Sequence, residues 1–469
     1  MDINLLIDFG STYTKVLAVD LDTENVLGRA QAVTTVESNI MIGLQKALDI
    51  LFAEHPDIKE KKISRKLACS SAAGGLRIIA IGLVPELTLE AARRAALGAG
   101  AKIVGSYAHE LDEETIQEIE SNPCDMIMLS GGTDGGNKKV ILHNARALAG
   151  LKKEVVVLVA GNRVVRSKVK EILQSAGKQV VVTENVLPEV NVINVEPARA
   201  AIRNIFMERI IKSKGLDAAQ SYVGSILMPT PMATLQAAQL LAEGTKEEPG
   251  LGELLVVEVG GATTNIHSVG HGYPQDGSVI QKGLPEPYAK RTVEGDLGIR
   301  WNAHTIFELA NDRLKDNLLL VDYSEDLLHV EEITQEIGVN VGYVPQDKQG
   351  FLIDSSLART AVQVAMERHA GVLREVPGFG GLVPVQYGKD LTNIQVIIGT
   401  GGVFHYGLYP SHIIKGALFD SRTPFSLKPK NSGLYVDKGY VMYAAGLLVD
   451  IAPTKALRIL KKHLQQIIE

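Results

Sequence analysis

The sequence predicts an α/β protein made of two related halves with a cleft between them. Three observations predict it. One pattern is written twice, 250 positions apart, as Leu5-Leu6-Ile7-Asp8-Phe9-Gly10-Ser11-Thr12-Tyr13-Thr14-Lys15-Val16 and as Leu254-Leu255-Val256-Val257-Glu258-Val259-Gly260-Gly261-Ala262-Thr263-Thr264-Asn265-Ile266. Strand and helix patterns alternate through the first half. A third Gly-rich strand end, Val396-Ile397-Ile398-Gly399-Thr400-Gly401-Gly402, comes late in the second half.

Each copy reads as a buried apolar strand, an acidic residue at its end, a Gly-rich turn with hydroxyls, and a second strand. Glycine removes the Cβ that would block approach, so such a turn brings N–H groups and hydroxyls close to phosphate oxygens. The acid can hold a metal ion through water, as phosphate-bound Mg²⁺ prefers. One such turn alone is also an ordinary hairpin. Two copies, one opening each half, describe a whole architecture: a two-sided clamp on a nucleotide's phosphates.

The elements follow in order. Strands are expected at Leu5 to Phe9, Lys15 to Val19, Val26 to Ala32, Lys66 to Ser70, Ile78 to Leu83, Lys102 to Tyr107 and Met126 to Leu129. Helices are expected at Asn39 to Glu54, Leu87 to Ala99, Glu113 to Ser121 and Lys138 to Ala149. A strand at Glu154 to Ala160, a helix at Arg163 to Ala176 and a strand at Gln179 to Thr183 continue the alternation. That spacing argues for buried, largely parallel strands. The first three strands have no helix between them and should be antiparallel. Ala198 to Ser213 reads as a long helix.

Pro229, Pro231 and Gly244 to Gly252 read as a connector, which divides the chain into halves 1–245 and 250–469. Beyond it come strands at Leu254 to Val259 and Ile266 to Val269, then a polar, irregular stretch from Gly270 to Gly298. Helices are expected near Ala303 to Asn311, Asp326 to Gly338 and Asp354 to Ala370. The chain closes with a strand at Ile394 to Ile398 and helices at Tyr440 to Asp450 and Thr454 to Ile468.

The third motif gives a flat backbone surface suited to a ribose or base. A fourth glycine cluster, Ser130 to Asn137, nearly spells a P-loop, but its lysine is displaced and Lys139 stands where Ser or Thr is required. Two readings remain for Gly131, Gly132, Thr133 and Asp134: a structural turn after a strand, or a loop facing the cleft.

Composition excludes several classes. The net charge of −6 gives no general drive toward nucleic acid or anionic membranes. No apolar stretch approaches the roughly 20 residues that span a bilayer. The two cysteines, Cys69 and Cys124, form no Cys-x-x-Cys and suit a reducing cytoplasm. No Gly-x-Ser-x-Gly elbow and no Asp-x-His-x-x-Gly cobalamin motif occurs.

The three motifs in this order resemble the actin, sugar kinase and Hsp70 superfamily of ATP-binding proteins. The resemblance implies duplicated actin-like, ribonuclease H-like ATPase domains with an interdomain nucleotide cleft and inserted segments, notably around Ile78 to Gln117 and Gly270 to Gly298. Gly260 to Thr264 with His267-Ser268, Thr292 to Gly298 and Ser130 to Asn137 resemble, more closely, the glutamate mutase accessory family, GlmL or MutL, which is unrelated to mismatch repair. This resemblance runs the full length. It implies an ATP-dependent reactivating factor for an adenosylcobalamin-dependent mutase or aminomutase, with ATP and Mg as cofactors and the corrinoid carried by the partner.

By the same resemblance, Asp8 holds Mg²⁺ through water, and Gly10, Ser11, Thr12 and Lys15 line one side of the phosphates. Gly260, Gly261, Thr263 and Thr264 line the other, and Gly399, Gly401 and Gly402 face the adenosine. Asp8 and Glu258 are the candidate catalytic acids. The family pattern starts the second turn with Asp and adds a second acid after the threonines. This sequence has Glu258 and Asn265 there, which bears on metal affinity and hydrolysis rate more than on nucleotide binding. Two other readings share the motifs: a small-molecule kinase, with Asp134 or Asp296 as base, and a scaffold that binds nucleotide without hydrolysing it.

Overall fold

Two β-sheets share one topology. The computed structural model describes residues 2–35, 39–71, 76–99, 101–213, 216–224, 227–321, 323, 329–378 and 381–467. The first strands are β1 (Ile3–Phe9), β2 (Tyr13–Asp20), β3 (Asn25–Val33) and β4 (Ile63–Ser70). Then come β5 (Arg77–Gly82), β6 (Lys102–Ala108), β7 (Met126–Leu129), β8 (Val156–Val159), β9 (Gln179–Val182) and β10 (Leu227–Pro229). The rest are β11 (Leu254–Val259), β12 (Thr264–Val269), β13 (Ile280–Lys282), β14 (Ala289–Glu294), β15 (Val372–Gly378), β16 (Gly381–Tyr387), β17 (Val396–Thr400), β18 (Gly433–Asp437) and β19 (Leu464–Gln466).

One sheet runs β10-β4-β1-β2-β3 and the other β14-β12-β11-β17-β18-β19. In each, the founding strand (β1 or β11) has an antiparallel neighbour on one side and a parallel one on the other. The third strand pairs antiparallel with the second, and the fifth parallel with the fourth. The registers also repeat: Asp8 stands opposite Lys15, and Glu258 opposite Asn265. This is the duplicated actin-like α/β architecture that the motifs predict. Strands β1 and β11 read as continuous apolar runs because both of their faces are covered.

The chain divides into two compact units along another line than the expected halves. One unit comprises Met1–Gly74, Lys214–Lys282 and Glu286–Glu469, and holds both repeated sheets with a small sheet β13-β16-β15. The other comprises Gly75–Ser213 and Gly283–Pro285. It carries a fully parallel sheet, β6-β5-β7-β8-β9, the doubly wound order 2-1-3-4-5. The insertion is thus a complete α/β unit, larger than the segment Ile78 to Gln117 expected from the sequence.

The expected connector from Pro229 is mostly a helix, Thr230–Glu243, buried along most of its length. Pro231 sits in its first turn, where a missing N–H costs nothing. Only the stretch after Gly244 connects. The polar stretch Gly270 to Gly298 contains β13 and β14, and β15, β16, β18 and β19 were not expected. The helix expected from Asp326 is observed over Val330–Val339; its positions 326–328 lie outside the described residues, as does Ile468 of the last helix.

Helices Thr230–Glu243 and Met442–Leu448 pack against each other between the two repeated sheets. Their core joins Leu6, Leu17 and Cys69 to Leu254, Val256 and Ile398. Gly446 makes the contact: a Cβ there would collide with the carbonyl group of Ala233. Gly446→Ala is therefore expected to lower unfolding stability by about 1–3 kcal/mol, read by urea denaturation. Unchanged stability would show that the helix pair has room to spare.

Candidate functional site

The two repeated turns close with the same hydrogen bond. The Gly10 N–H donates to the Tyr13 carbonyl at 3.1 Å, and the Gly260 N–H to the Thr263 carbonyl at 2.9 Å. The turns face each other closely: a Cβ on Gly261 would lie 3.0 Å from Thr12 Oγ1. Both line a cavity of about 350 Å³. The amides of Gly10 and Gly260 are thus used inside the turns, and these glycines offer a ligand close approach rather than a donor.

Asp8, at the end of β1, is almost fully buried. Its Oδ2 accepts from Lys15 Nζ at 2.7 Å, and its Oδ1 from Thr230 Oγ1 at 2.6 Å. Burial pushes the Lys15 pKa down, but the Asp8 carboxylate and Tyr440 outweigh it and hold the amine well above its ordinary value. Register explains the pair, since Lys15 stands directly opposite Asp8 across β1 and β2.

Glu258 takes the equivalent place at the end of β11. Its carboxylate accepts from Asn265 Nδ2 at 3.0 Å and from Thr234 Oγ1 at 3.4 Å, and His267 Nε2 lies 3.2 Å away. Burial pushes its pKa up, but the bonds from His267 and Asn265 prevail and hold it below the ordinary value. Burial also lowers the His267 pKa, which leaves a neutral imidazole at neutral pH. That ring then donates from Nε2 to the carboxylate.

Of the residues expected at the site, Asp8, Gly10, Ser11, Thr12, Lys15, Glu258, Gly260, Gly261, Thr263 and Gly402 line the cavity. Thr264 is turned inward and donates to the Leu297 carbonyl at 2.7 Å. Gly399 is a packing glycine, since a Cβ would lie 2.5 Å from the Phe404 ring. Gly401 has a φ of 111° and abuts the Val259 backbone. At that third turn the lining falls to Thr400 and Gly402.

Sequence reasoning missed several lining residues: Thr230, Thr234, Arg300, Tyr343, Asp354 and Tyr440. Arg300 forms a forked pair with Asp354, at 2.6 and 2.8 Å. Its guanidinium lies 5.4 Å from the centre of the Tyr343 ring. The Gly261 carbonyl accepts N–H bonds from both Arg300 (2.9 Å) and Trp301 (3.0 Å), which ties the second turn to the half-exposed indole of the sole tryptophan.

The 130–137 loop lies in the inserted unit, at the C-terminal end of β7 beside the switch between β5 and β7. Gly131, Gly132 and Gly135 all have positive φ. Asp134 Oδ1 accepts from the Arg163 N–H (2.8 Å) and Asn185 Nδ2 (3.0 Å), and Thr133 accepts the Gly136 N–H through its carbonyl (2.9 Å). Asp296 is held by the Arg368 guanidinium at 2.8 and 2.9 Å.

The residues present fit a phosphate group with a hydrated metal. Thr12 Oγ1 and Asn265 Oδ1 are buried beside the cavity with no hydrogen-bond partner among the described residues. A buried orphan of this kind is costly unless something meets it. The hydroxyl suits a phosphate oxygen and the amide oxygen suits a metal-bound water. Among the described residues no cluster of three or more His, Cys, Asp or Glu could cage a metal. Asp8 and Glu258 would therefore hold one with water and phosphate completing its shell.

The Glu258 pair carries a test. A folded pKa below the ordinary value means stability that is present above the ordinary pKa and lost as pH falls through the folded one. His267→Ala removes a donor and leaves burial less opposed, so acid unfolding should begin at a higher pH. At neutral pH the variant should lose about 1–3 kcal/mol. Urea unfolding along a pH series measures both, and superimposable curves for the two proteins would refute the coupling.

Comparison with known proteins places the chain. A model of the MutL protein family matches residues 4–464. Protein MutL of Clostridium tetanomorphum is 47% identical over 467 residues, covering 100% of each chain. Among solved structures, nucleotide-free acetone carboxylase aligns with a TM-score of 0.40 and 13% identity over 95% of this chain and 70% of that one. A glycerol dehydratase reactivase aligns with a TM-score of 0.35 and 10% identity over 96% and 99%. By its full-length family match and its close relative, the chain belongs to the MutL protein family, the glutamate mutase accessory type that its motifs resemble.

Proposed function

We propose that this protein is an ATP-dependent reactivating factor for an adenosylcobalamin-dependent mutase or aminomutase such as glutamate mutase. One observation carries the nucleotide reading: two turns closed by the same hydrogen bond face each other across Thr12 and Gly261, the first preceded by the buried Asp8 and the second by the partly buried Glu258. Family membership supports the mutase as partner.

In this reading Ser11, Thr12, Gly261 and Thr263 take the phosphates, and Lys15 neutralises part of their charge. When bound, Mg²⁺ would neutralise charge at the phosphates and lower the pKa of its water. Asp8 and Glu258 would hold the hydrated ion, and Glu258 would orient a water for attack. Its own orientation is set by His267, Asn265 and Thr234. Val341, Tyr343, Val344 and Phe351 also line the cavity and offer an apolar wall for the base. Hydrolysis changes what the two turns grip. It biases domain closure only as far as ATP and ADP differ in affinity for the closures. The partner senses that closure and releases its damaged cobalamin. The corrinoid stays with the mutase, and the protein works in the cytoplasm.

The test is turnover of Mg-ATP, alone and with hydroxyl and carboxyl acceptors. Slow release of free phosphate is expected, indifferent to acceptors and reduced at least about 100-fold in Asp8→Ala. Restored activity of an inactivated mutase in the presence of ATP completes it. Phosphate on an acceptor would make the protein a kinase, and binding without turnover a scaffold. Because Trp301 is bonded to the second turn, its fluorescence should change on titration with Mg-ATP; a silent indole alongside calorimetric binding would mean that this turn does not respond.

A further inference from the structure

Tyr440 stands beside Lys15 with a backbone unsuited to its side chain. Its φ is 51°, in the left-handed region that glycine and asparagine favour and a bulky aromatic avoids. Such strain persists where the surroundings over-determine it, and it gathers at functional sites. The Tyr440 N–H donates to the Asp437 carbonyl at 3.2 Å. The buried Asp437 carboxylate accepts from the N–H groups of Val441 (2.9 Å) and Met442 (3.0 Å) and from Thr400 Oγ1 (3.0 Å). A Cβ on the preceding Gly439 would lie 2.6 Å from the His463 ring. The Tyr440 ring is boxed between His405 and Tyr443, each 6.1 Å away between centres. Over its face sits Lys15 Nζ, 4.7 Å from the centroid.

Lys15 therefore has two anchors, the Asp8 carboxylate and this ring. Once Asp8 serves a hydrated metal, its charge is no longer free for the lysine. A second cavity, of about 250 Å³, lies alongside and is lined by Lys15, Tyr440 and Glu54. A lysine with four rotatable bonds could swing toward that carboxylate and away from the phosphates. An aromatic face restrains an ammonium without competing for it as an acid would, because the ring carries no net charge. We propose that Tyr440 is a positioning residue, whose ring keeps Lys15 at the phosphate end of the cleft when Asp8 is engaged. Its strained backbone, fixed through Asp437 to the Thr400 turn, sets the ring in place. The inference rests on the nucleotide reading of the cleft.

The experiment compares Tyr440→Phe, which keeps the ring, with Tyr440→Leu, which fills the space without one, and Tyr440→Asn, which suits the backbone. Calorimetry gives Kd for Mg-ATP and for adenosine. Limiting acetic anhydride followed by peptide mass analysis gives the reactivity of the Lys15 amine, with Asp8→Asn added to each protein so that the carboxylate anchor is absent. Phe keeps the ring but loses the hydroxyl that also bonds Lys15, and should stay within about threefold of the wild type. Leu and Asn should weaken Mg-ATP by about tenfold with adenosine unchanged, and should expose Lys15 to acetylation. Equal loss of both ligands would assign Tyr440 a merely structural role and overturn the proposal, as would unaltered Lys15 reactivity in Leu and Asn. A wild-type protein that binds adenosine but gains nothing from the phosphates would remove the nucleotide-clamp reading instead, and the labelling would still decide whether Tyr440 holds the lysine.

Discussion

The site hangs from the place where two helices touch backbone to backbone. Gly446 lies against the carbonyl of Ala233, with no side chain between them. The helix that carries Ala233 begins at Thr230, whose hydroxyl reaches Asp8. The helix that carries Gly446 begins just after the Asp437 cap. Their closeness brings both helix starts to one end of the cavity. It also lets one core run from Leu6 and Leu17 of the first repeated sheet to Leu254 and Ile398 of the second. Spreading the helices would draw Thr230 away from Asp8 before it disturbed either turn.

The same helix serves both acids. Thr230 bonds Asp8 and Thr234 bonds Glu258, and residues four apart share one face of a helix. The longer side chain of Glu258 thus has a partner of its own rather than displacing one. The two copies have diverged in charge while keeping their register. Asp8 faces a cation across the ladder, whereas Glu258 faces an amide and a neutral imidazole. A pair so arranged is lopsided by design: one acid comes with a cation of its own, and the other with neutral hydrogen-bond donors.

Much of this was legible in the sequence. The repeated turns announce themselves because an acid, a glycine and hydroxyls follow an apolar run twice at one spacing. Thr230 and Thr234 were hidden by Pro229 and Pro231, which read as breakers although proline is at home in a first helical turn. Gly399 and Gly401 drew notice as glycines, but their need for smallness comes from Phe404 and Val259, which no local pattern reveals. Arg300, Tyr343 and Asp354 meet only through the fold, and Tyr440 has no motif to mark it. The edges of the inserted unit were invisible because it is α/β like its host, so neither composition nor periodicity shifts at its ends.

That insertion orders events in time. Strand β10 pairs with β4, yet the whole of the inserted unit separates them along the chain. Closing so long a loop as random coil is entropically unfavourable and slow. A folded insert shortens the effective gap between its ends, so β10 joins the first sheet late, as its last strand. Thr230 follows β10 directly and arrives with it. A nascent chain therefore possesses the first turn long before it has the hydroxyl that steadies Asp8, and grip on a ligand becomes a late product of folding rather than an early one.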